Sequence, residues 1–477
     1  MKHYFFPILC SILAPIVCRS QEYQCDCKEN LDSLILKTER NYAGFQAKVG
    51  EGTKDAYNKL VMETRENAAT TQDAKECFHI MEKYVKYFRD KHFGLAYRNP
   101  KDFDSTVVKP PRKNIRQALK GDNRNTVLGK YMNPDSTVVV SIVPDGKGNF
   151  RALKEYSSID DFPKGFVYFT LTGHGDRFEV MEYNTFMSTD IPAKLVGNLL
   201  HLWNFSTWGR IAPLRMNSDE RSELSTWKDY NFGLDFKKLD GETAYLKIPS
   251  FTRDDMVQRL IAGNDSVIRS TKNLIIDLTL NGGGSTGWVY FLPYAMTAPV
   301  TQEDTYLRVS PDNLPQALAD LKPFATGPVP EGYEKYFPES TVRAYRKAYS
   351  ELPETKKEFY PLPGVTFPLD SVTKNPRRVS VIYDDFGGSS TEYFFHLSRQ
   401  CGKITSYGTN TLGMMDYAGA SVPTPLPYEN FILKIPTVRS SWTAEHPIDR
   451  TGFAPDVPLG QPQAEWVDMI MRDLKVD

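Results

Sequence analysis

The chain has 477 residues, enough for two to four domains at ~150 residues each and for a large buried core. Its 58 basic and 59 acidic residues almost cancel, and no long block of one sign occurs, so neither a nucleic-acid surface nor an anionic-membrane patch is expected. With 27 Phe and 26 Tyr, the composition argues against disorder and suits a globular protein with strand-rich parts.

The first twenty residues differ from the rest. Lys2 and His3 precede an apolar run from Tyr4 to Cys18, and Arg19-Ser20-Gln21 follows. A basic start, a short apolar run and a small residue read as a secretory signal. Cleavage near Ser20 is favoured over a lipoprotein-type cut before Cys18, because Val17 is a poor fit where a small residue is wanted. The run is too short for a comfortable bilayer span and no later run is better, so an exported protein with no stable membrane span is expected, periplasmic or extracellular. Cys25, Cys27, Cys77 and Cys401 would remain. One of the first two pairing with Cys77 is the economical reading in an oxidising compartment, and a zinc site lacks a second Cys/His pair.

Residues 27–93 carry a helical pattern, with Cys77, Met81, Tyr84, Val85 and Phe88 on one face and His92 continuing it in the last turn before Gly94. These residues form a helical N-terminal domain, 21–104. A linker at 104–111 leads to a β-rich middle domain, 105–238, in which 136–143 and 166–171 read as strands and Asp145-Gly146-Lys147-Gly148 as a hairpin turn. From about Gly241 strands alternate with helices, which predicts an α/β core with parallel pairing over 239–477, interrupted by an insertion at about 309–375.

Two stretches of this core carry possible chemistry. Gly282-Gly283-Gly284-Ser285-Thr286-Gly287 follows the apolar strand 274–278 and fits G-x-G-x-x-G, with Asp304 about twenty residues on. A dinucleotide-binding oxidoreductase is therefore one reading. Backbone N–H groups at such a turn could equally receive an oxyanion. Ser389-Ser390-Thr391-Glu392 follows a strand and a tight Asp384-Asp385-Phe386-Gly387-Gly388 turn and opens an apolar helix. It reads either as a capping box or as a nucleophile at a sharp strand-to-helix turn. No metal cluster or phosphate loop emerges, and no cofactor is expected.

Taken in order, four segments resemble the serine peptidase family that includes the carboxy-terminal processing proteases and the tricorn protease core. Leu274-Ile275-Ile276-Asp277-Leu278-Thr279-Leu280-Asn281-Gly282-Gly283-Gly284 is similar to L-I-I-D-L-R-x-N-G-G-G, with Thr279 in place of arginine. Ser389-Ser390-Thr391-Glu392 is similar to S-A-S-E, Gly408-Thr409-Asn410-Thr411-Leu412-Gly413 to G-E-x-T-x-G, and the segment from Pro447 to Asp456 to P-I-E-x-x-G-x-x-P-D. The resemblance implies a ClpP/crotonase-like α/β protease core, with the β-rich domain standing where many relatives carry a PDZ module. It implies Ser389 as nucleophile and Ser390 as its fallback. The oxyanion donors would be the backbone N–H of Ser390 together with that of Gly283 or Gly284. Met414 occupies the position of the lysine that processing proteases use as base, so a tricorn-like Ser/His arrangement is implied instead. In it His92 is the base within Asp90-Lys91-His92, and Asp449 is the late carboxylate that supports it. His446 competes for the base role, His396 reads as packing, and His79, His174 and His201 have no partners in sequence. The implied activity is peptide-bond hydrolysis of a peptide or unfolded polypeptide through an acyl-enzyme. A scaffold that binds peptides without cutting them is the alternative, and the oligomeric state stays open.

Overall fold

The computed structural model describes residues 25–98, 107, 126–145, 149–182, 186–188, 191–204, 206–420, 422–460 and 462–475. The expected secretory signal, most of the 104–111 linker, turn residues 146–148 and the His174 side chain lie outside the described residues.

In the N-terminal region, Asp26 and Asp73 cap helices Cys27–Asn41 and Ala74–Tyr87 by accepting the N–H of Glu29 and Glu76, which satisfies one orphan donor at each start. Their apolar faces, Leu31, Leu34 and Ile35 against Cys77, Phe78, Met81 and Tyr84, are buried in one cluster. A Cys27–Cys77 disulfide ties the two helices, and Cys25 and Cys401 are free and buried.

The expected helix to Phe93 stops at Tyr87. Arg89 takes φ +50°, which turns the chain, while Phe88 and Phe93 both remain in contact with Tyr42. The apolar rhythm continues because the aromatic cluster needs both rings, not because the helix persists. His92 therefore sits in a turn. Strand Gly94–Tyr97 follows and pairs antiparallel with Phe431–Lys434, which anchors that turn to a segment more than 300 residues away in sequence.

The β-rich region is a closed antiparallel barrel running from Gly129–Met132 to Ser206–Ala212, with these two strands paired to close it. The predicted hairpin is present as Val138–Pro144 against Phe150–Ser157. The barrel's own core holds Tyr131, Val140, Phe169, Leu171 and Leu200, and closure removes the exposed edges of a sheet.

The rest is organised on a six-stranded sheet. Thr243–Lys247, Asn273–Asp277, Arg378–Tyr383, Ile404–Gly408 and Val457–Pro458 run parallel, with Asp235–Lys238 antiparallel at one edge. The central strand Asn273–Asp277 is buried along its whole length, the pattern of a parallel strand covered on both faces. The sequence between it and its neighbour Arg378–Tyr383 includes helices Leu314–Ala325 and Glu339–Glu351.

Candidate active site

Three adjacent parallel strands end at one edge of this sheet, and each hands the chain to a loop: 278–284, 384–389 and 409–414. Crevices at the carboxyl ends of parallel strands are where α/β sheets bind ligands. Here side chains lock the three loops together. Buried Asn281 accepts from Gly283 N–H (2.9 Å) and from the Thr391 hydroxyl (2.8 Å), and its amide donates to the Ile248 carbonyl (2.8 Å). Gly283 has φ +95°, and a Cβ there would lie 2.8 Å from both Ser389 Cβ and Ser390 N. Only glycine allows the glycine loop to lie against the serine turn.

Ser389 stands at the start of helix Ser390–Ser398 with φ 52° and ψ −121°, and its side chain makes no capping bond. Such backbone geometry is costly for a residue with a Cβ. It points the hydroxyl away from the helix, as at a nucleophile elbow. The capping-box reading is thereby corrected. Glu392, its expected partner, is fully buried and turns to the third loop, accepting from the Thr411 hydroxyl (2.7 Å) and the N–H groups of Gly413 (2.6 Å) and Met414 (2.9 Å). Met414 itself is buried, with its sulfur packed at Gly388.

Burial pushes the Glu392 carboxyl up to about 7, against the pull of those three donors. Its folded value thus lies above the ordinary ~4.3, so between these values the native state holds a proton that the unfolded chain has released. The associated stability is fully present below about pH 4 and is lost as pH rises through about 7. It amounts to about 3–4 kcal/mol. Urea midpoints between pH 5 and 8 should fall accordingly, and Glu392→Gln should flatten that slope; an unchanged slope in the variant would remove Glu392 as its source.

The Ser389 hydroxyl meets His92. Ser389 Oγ lies 3.1 Å from His92 Nε2, and His92 Nδ1 lies 2.7 Å from the Tyr417 carbonyl oxygen. A carbonyl can only accept, so Nδ1 carries the proton and Nε2 is left to accept from Ser389. The His92 turn is held by Asp90, whose carboxylate accepts the His92 N–H (2.8 Å) and the Tyr42 hydroxyl (2.8 Å). Burial raises the Asp90 carboxyl above its ordinary value, with His92, Tyr42 and Lys48 pulling the other way.

The other candidates fall outside this pair. Asp449 makes no hydrogen bond to His92; its carboxylate pairs with Lys48 at 2.5 Å, and its N–H donates to Asp416. Two partly buried charges meet there, so Asp449→Asn should leave Lys48 without its hydrogen-bonded carboxylate. Removing a partner from a buried charge costs about 1–3 kcal/mol, which predicts a lower thermal midpoint and only a small change in kcat. A fall in kcat as large as that of His92→Ala would instead place Asp449 in the catalytic path. His446 is exposed and has no bond to Ser389. His396 packs at a tilt against Trp442 and faces Glu303. His201 is buried beside Thr207 in the barrel, and burial pulls its value down to about 3. His79 pairs with Glu82 on the surface.

The Ser390 hydroxyl, the fallback nucleophile, makes no hydrogen bond to His92 among the described residues. It donates to the Ser285 carbonyl and accepts from Trp288 Nε1 (3.1 Å). Gly283 is committed to Asn281 through its N–H, whereas the N–H groups of Gly284 and Ser390 have no acceptor among the described residues. Of the two glycines, Gly284 is the one left able to donate to a bound oxyanion.

Residues 242–459 match the model of peptidase family S41. This core belongs to that family, and the chain is a serine-type peptidase. The structure of mature CPAF complexed with lactacystin is 13% identical, with 94% of this chain and 98% of that chain covered at a TM-score of 0.50. A putative peptidase from Parabacteroides merdae ATCC 43184 is 13% identical over 95% and 96% of the two chains, with a TM-score of 0.43. The tricorn protease is 12% identical over 94% of this chain and 37% of that chain, with a TM-score of 0.38. No curated protein sequence matches the chain significantly.

The family S41 core also disposes of the dinucleotide reading on geometric grounds. Asp304 accepts the Gly364 N–H (3.2 Å) and precedes strand Thr305–Arg308. That strand lies in a separate antiparallel sheet with Phe359–Leu362 and Val438–Arg439, not beside Asn273–Asp277. Among the described residues no group of three or more His, Cys, Asp or Glu could hold a metal ion, and no helix is long and apolar enough to cross a membrane.

Sequence reasoning missed four contributors. Asn281 and Glu392 are part of recognised motifs, but their role as stitches between loops depends on distances no spacing reveals. Tyr417 contributes only a carbonyl, to which any residue type would answer. Lys48 carries no local signal at all.

Proposed function

We propose that the protein is an exported serine endopeptidase in which Ser389 attacks the peptide carbonyl and His92 is the general base. The observation that carries this reading is the 3.1 Å approach of Ser389 Oγ to His92 Nε2, with the tautomer set by the Tyr417 carbonyl. His92 takes the hydroxyl proton as Oγ bonds to the carbonyl carbon. The oxyanion then accepts from Gly284 and Ser390 N–H, and His92 returns the proton to the leaving amine. Water hydrolyses the acyl-enzyme by the same path in reverse roles, and no cofactor enters. The backbone carbonyl of Tyr417 takes the orienting place that a carboxylate holds in other triads, with the Asp90 carboxylate nearby as electrostatic support.

The core fits a ClpP/crotonase-like description, since its site is assembled from loops at the ends of adjacent parallel strands. Export is supported by the basic and apolar opening of the chain and agrees with the Cys27–Cys77 disulfide, a bond that persists in oxidising compartments. The substrate class is a peptide or unfolded polypeptide, by analogy with the family alone.

The decisive experiment treats the mature protein with a fluorophosphonate and locates the adduct by mass spectrometry. Labelling is expected on Ser389 and is expected to disappear in His92→Ala. An unlabelled protein that still binds peptides would overturn the mechanism in favour of a binding scaffold.

A further inference from the structure

The barrel plays no part in the chemistry above, yet its turn after strand Leu199–Leu202 touches both loops that carry the oxyanion donors. Asn204 Oδ1 accepts the Gly282 N–H at 2.9 Å. The Trp203 indole fills the space beside Gly282, where a Cβ would come within 2.1 Å of the ring. The same indole donates from Nε1 to the Phe386 carbonyl at 2.9 Å. Two consecutive barrel residues therefore grip the glycine loop on one side and the serine turn on the other.

We propose that the barrel is a positioning module for the oxyanion hole, with Asn204 and Trp203 as positioning residues that set the spacing between Gly284 N–H and Ser390 N–H. The inference rests on the reading of Ser389 as nucleophile. Its physical basis is that a run of three glycines is the backbone most costly to hold in one conformation, while oxyanion donors act only when held in place before charge develops. Asn281 fixes the loop from inside the core, at Gly283. The N–H of the preceding Gly282 is instead bonded from the barrel, by Asn204. Asn204 has φ +52°, a conformation asparagine tolerates better than most residues, so the side chain is presented by a turn built to aim it. Lys194, on barrel strand Ile191–Val196, pairs with Asp384 at the root of the serine turn and secures the same junction.

The test uses the full-length mature protein, a fluorogenic peptide and a peptidyl boronic acid as transition-state mimic. Asn204→Gly removes the acceptor while allowing the positive φ, and Asn204→Asp restores an acceptor oxygen. Asn204→Gly should lower kcat roughly 10- to 100-fold with KM within about twofold. The boronate Ki should rise by the same factor as kcat/KM falls, and Asn204→Asp should recover most of both. Trp203→Phe, which keeps ring packing but loses the bond to Phe386, should show the same signature more weakly and serves if Asn204→Gly folds poorly. Wild-type kcat in both variants, or a fall in kcat with no matching change in boronate affinity, overturns the inference. Ser389→Ala measured alongside separates the two claims: turnover surviving there sinks the nucleophile reading, whereas its loss leaves the barrel proposal to stand or fall on Asn204 and Trp203.

Discussion

Ser389→Ala is expected to lower kcat for an unfolded protein such as denatured casein by roughly 10⁴–10⁶-fold, with KM little changed. The hydroxyl lies 3.1 Å from a ring nitrogen able to accept its proton, directly before Ser390, whose N–H has no acceptor among the described residues. His92→Ala should fall into the same range, because an unactivated hydroxyl contributes little. The double variant should be no worse than either single one, since the two residues act as a unit. Thermal midpoints should stay near wild type or rise for Ser389→Ala, which removes a hydroxyl that, among the described residues, is bonded to His92 alone. Additive losses in the double variant would show that His92 acts elsewhere than on Ser389. Full activity in Ser389→Ala would end the mechanism.

The second large effect is on stability. Lys194 and Asp384 are almost fully buried, at 2% and 1% side-chain exposure, and Lys194 also reaches Asp385 at 3.3 Å and lies 4.9 Å from the Phe386 ring. Asp384 simultaneously accepts the N–H groups of Leu280 (3.0 Å) and Phe386 (3.1 Å), one from the glycine loop and one from the serine turn. Lys194→Met should cost about 3–5 kcal/mol, because it leaves a buried carboxylate without its counter-charge. Adding Asp384→Asn should recover much of this loss: the amide oxygen can keep the two backbone bonds while no buried charge remains. Urea midpoints of the single and double variants check it. A Lys194→Met protein as stable as wild type would mean that water or Arg177, which already pairs with Asp385 at 3.0 Å, compensates the charge.

Much of the core was legible in sequence for identifiable reasons. The strand 274–278 is apolar on both faces because it lies in a covered parallel sheet, and its glycines follow because a backbone must approach another backbone. Ser389 stood out through turn chemistry. The helix containing His92 was overextended, since an aromatic cluster can keep a helical rhythm across a turn at Arg89. The role of Glu392 is not legible, because Ser-x-x-Glu has the same spacing whether the carboxylate reaches back to its own helix or across to Thr411 and Gly413. The motif position of Asp449 says nothing about Lys48, its hydrogen-bond partner, which arrives from a short helix 401 residues earlier.

By itself, the sequence determined the family of the core, the order of its strands and loops, and the residue types able to attack a carbonyl and hold an oxyanion. These follow from local periodicity, turn chemistry and motif spacing, which are properties of neighbouring residues. Only the tertiary structure decided which histidine reaches Ser389, which glycine keeps a free N–H, and that a barrel turn holds the loop between them. Each of those depends on contacts across tens to hundreds of residues, set by packing of the whole chain, and a hydrogen bond distinguishes partners by tenths of an ångström that no spacing in sequence encodes.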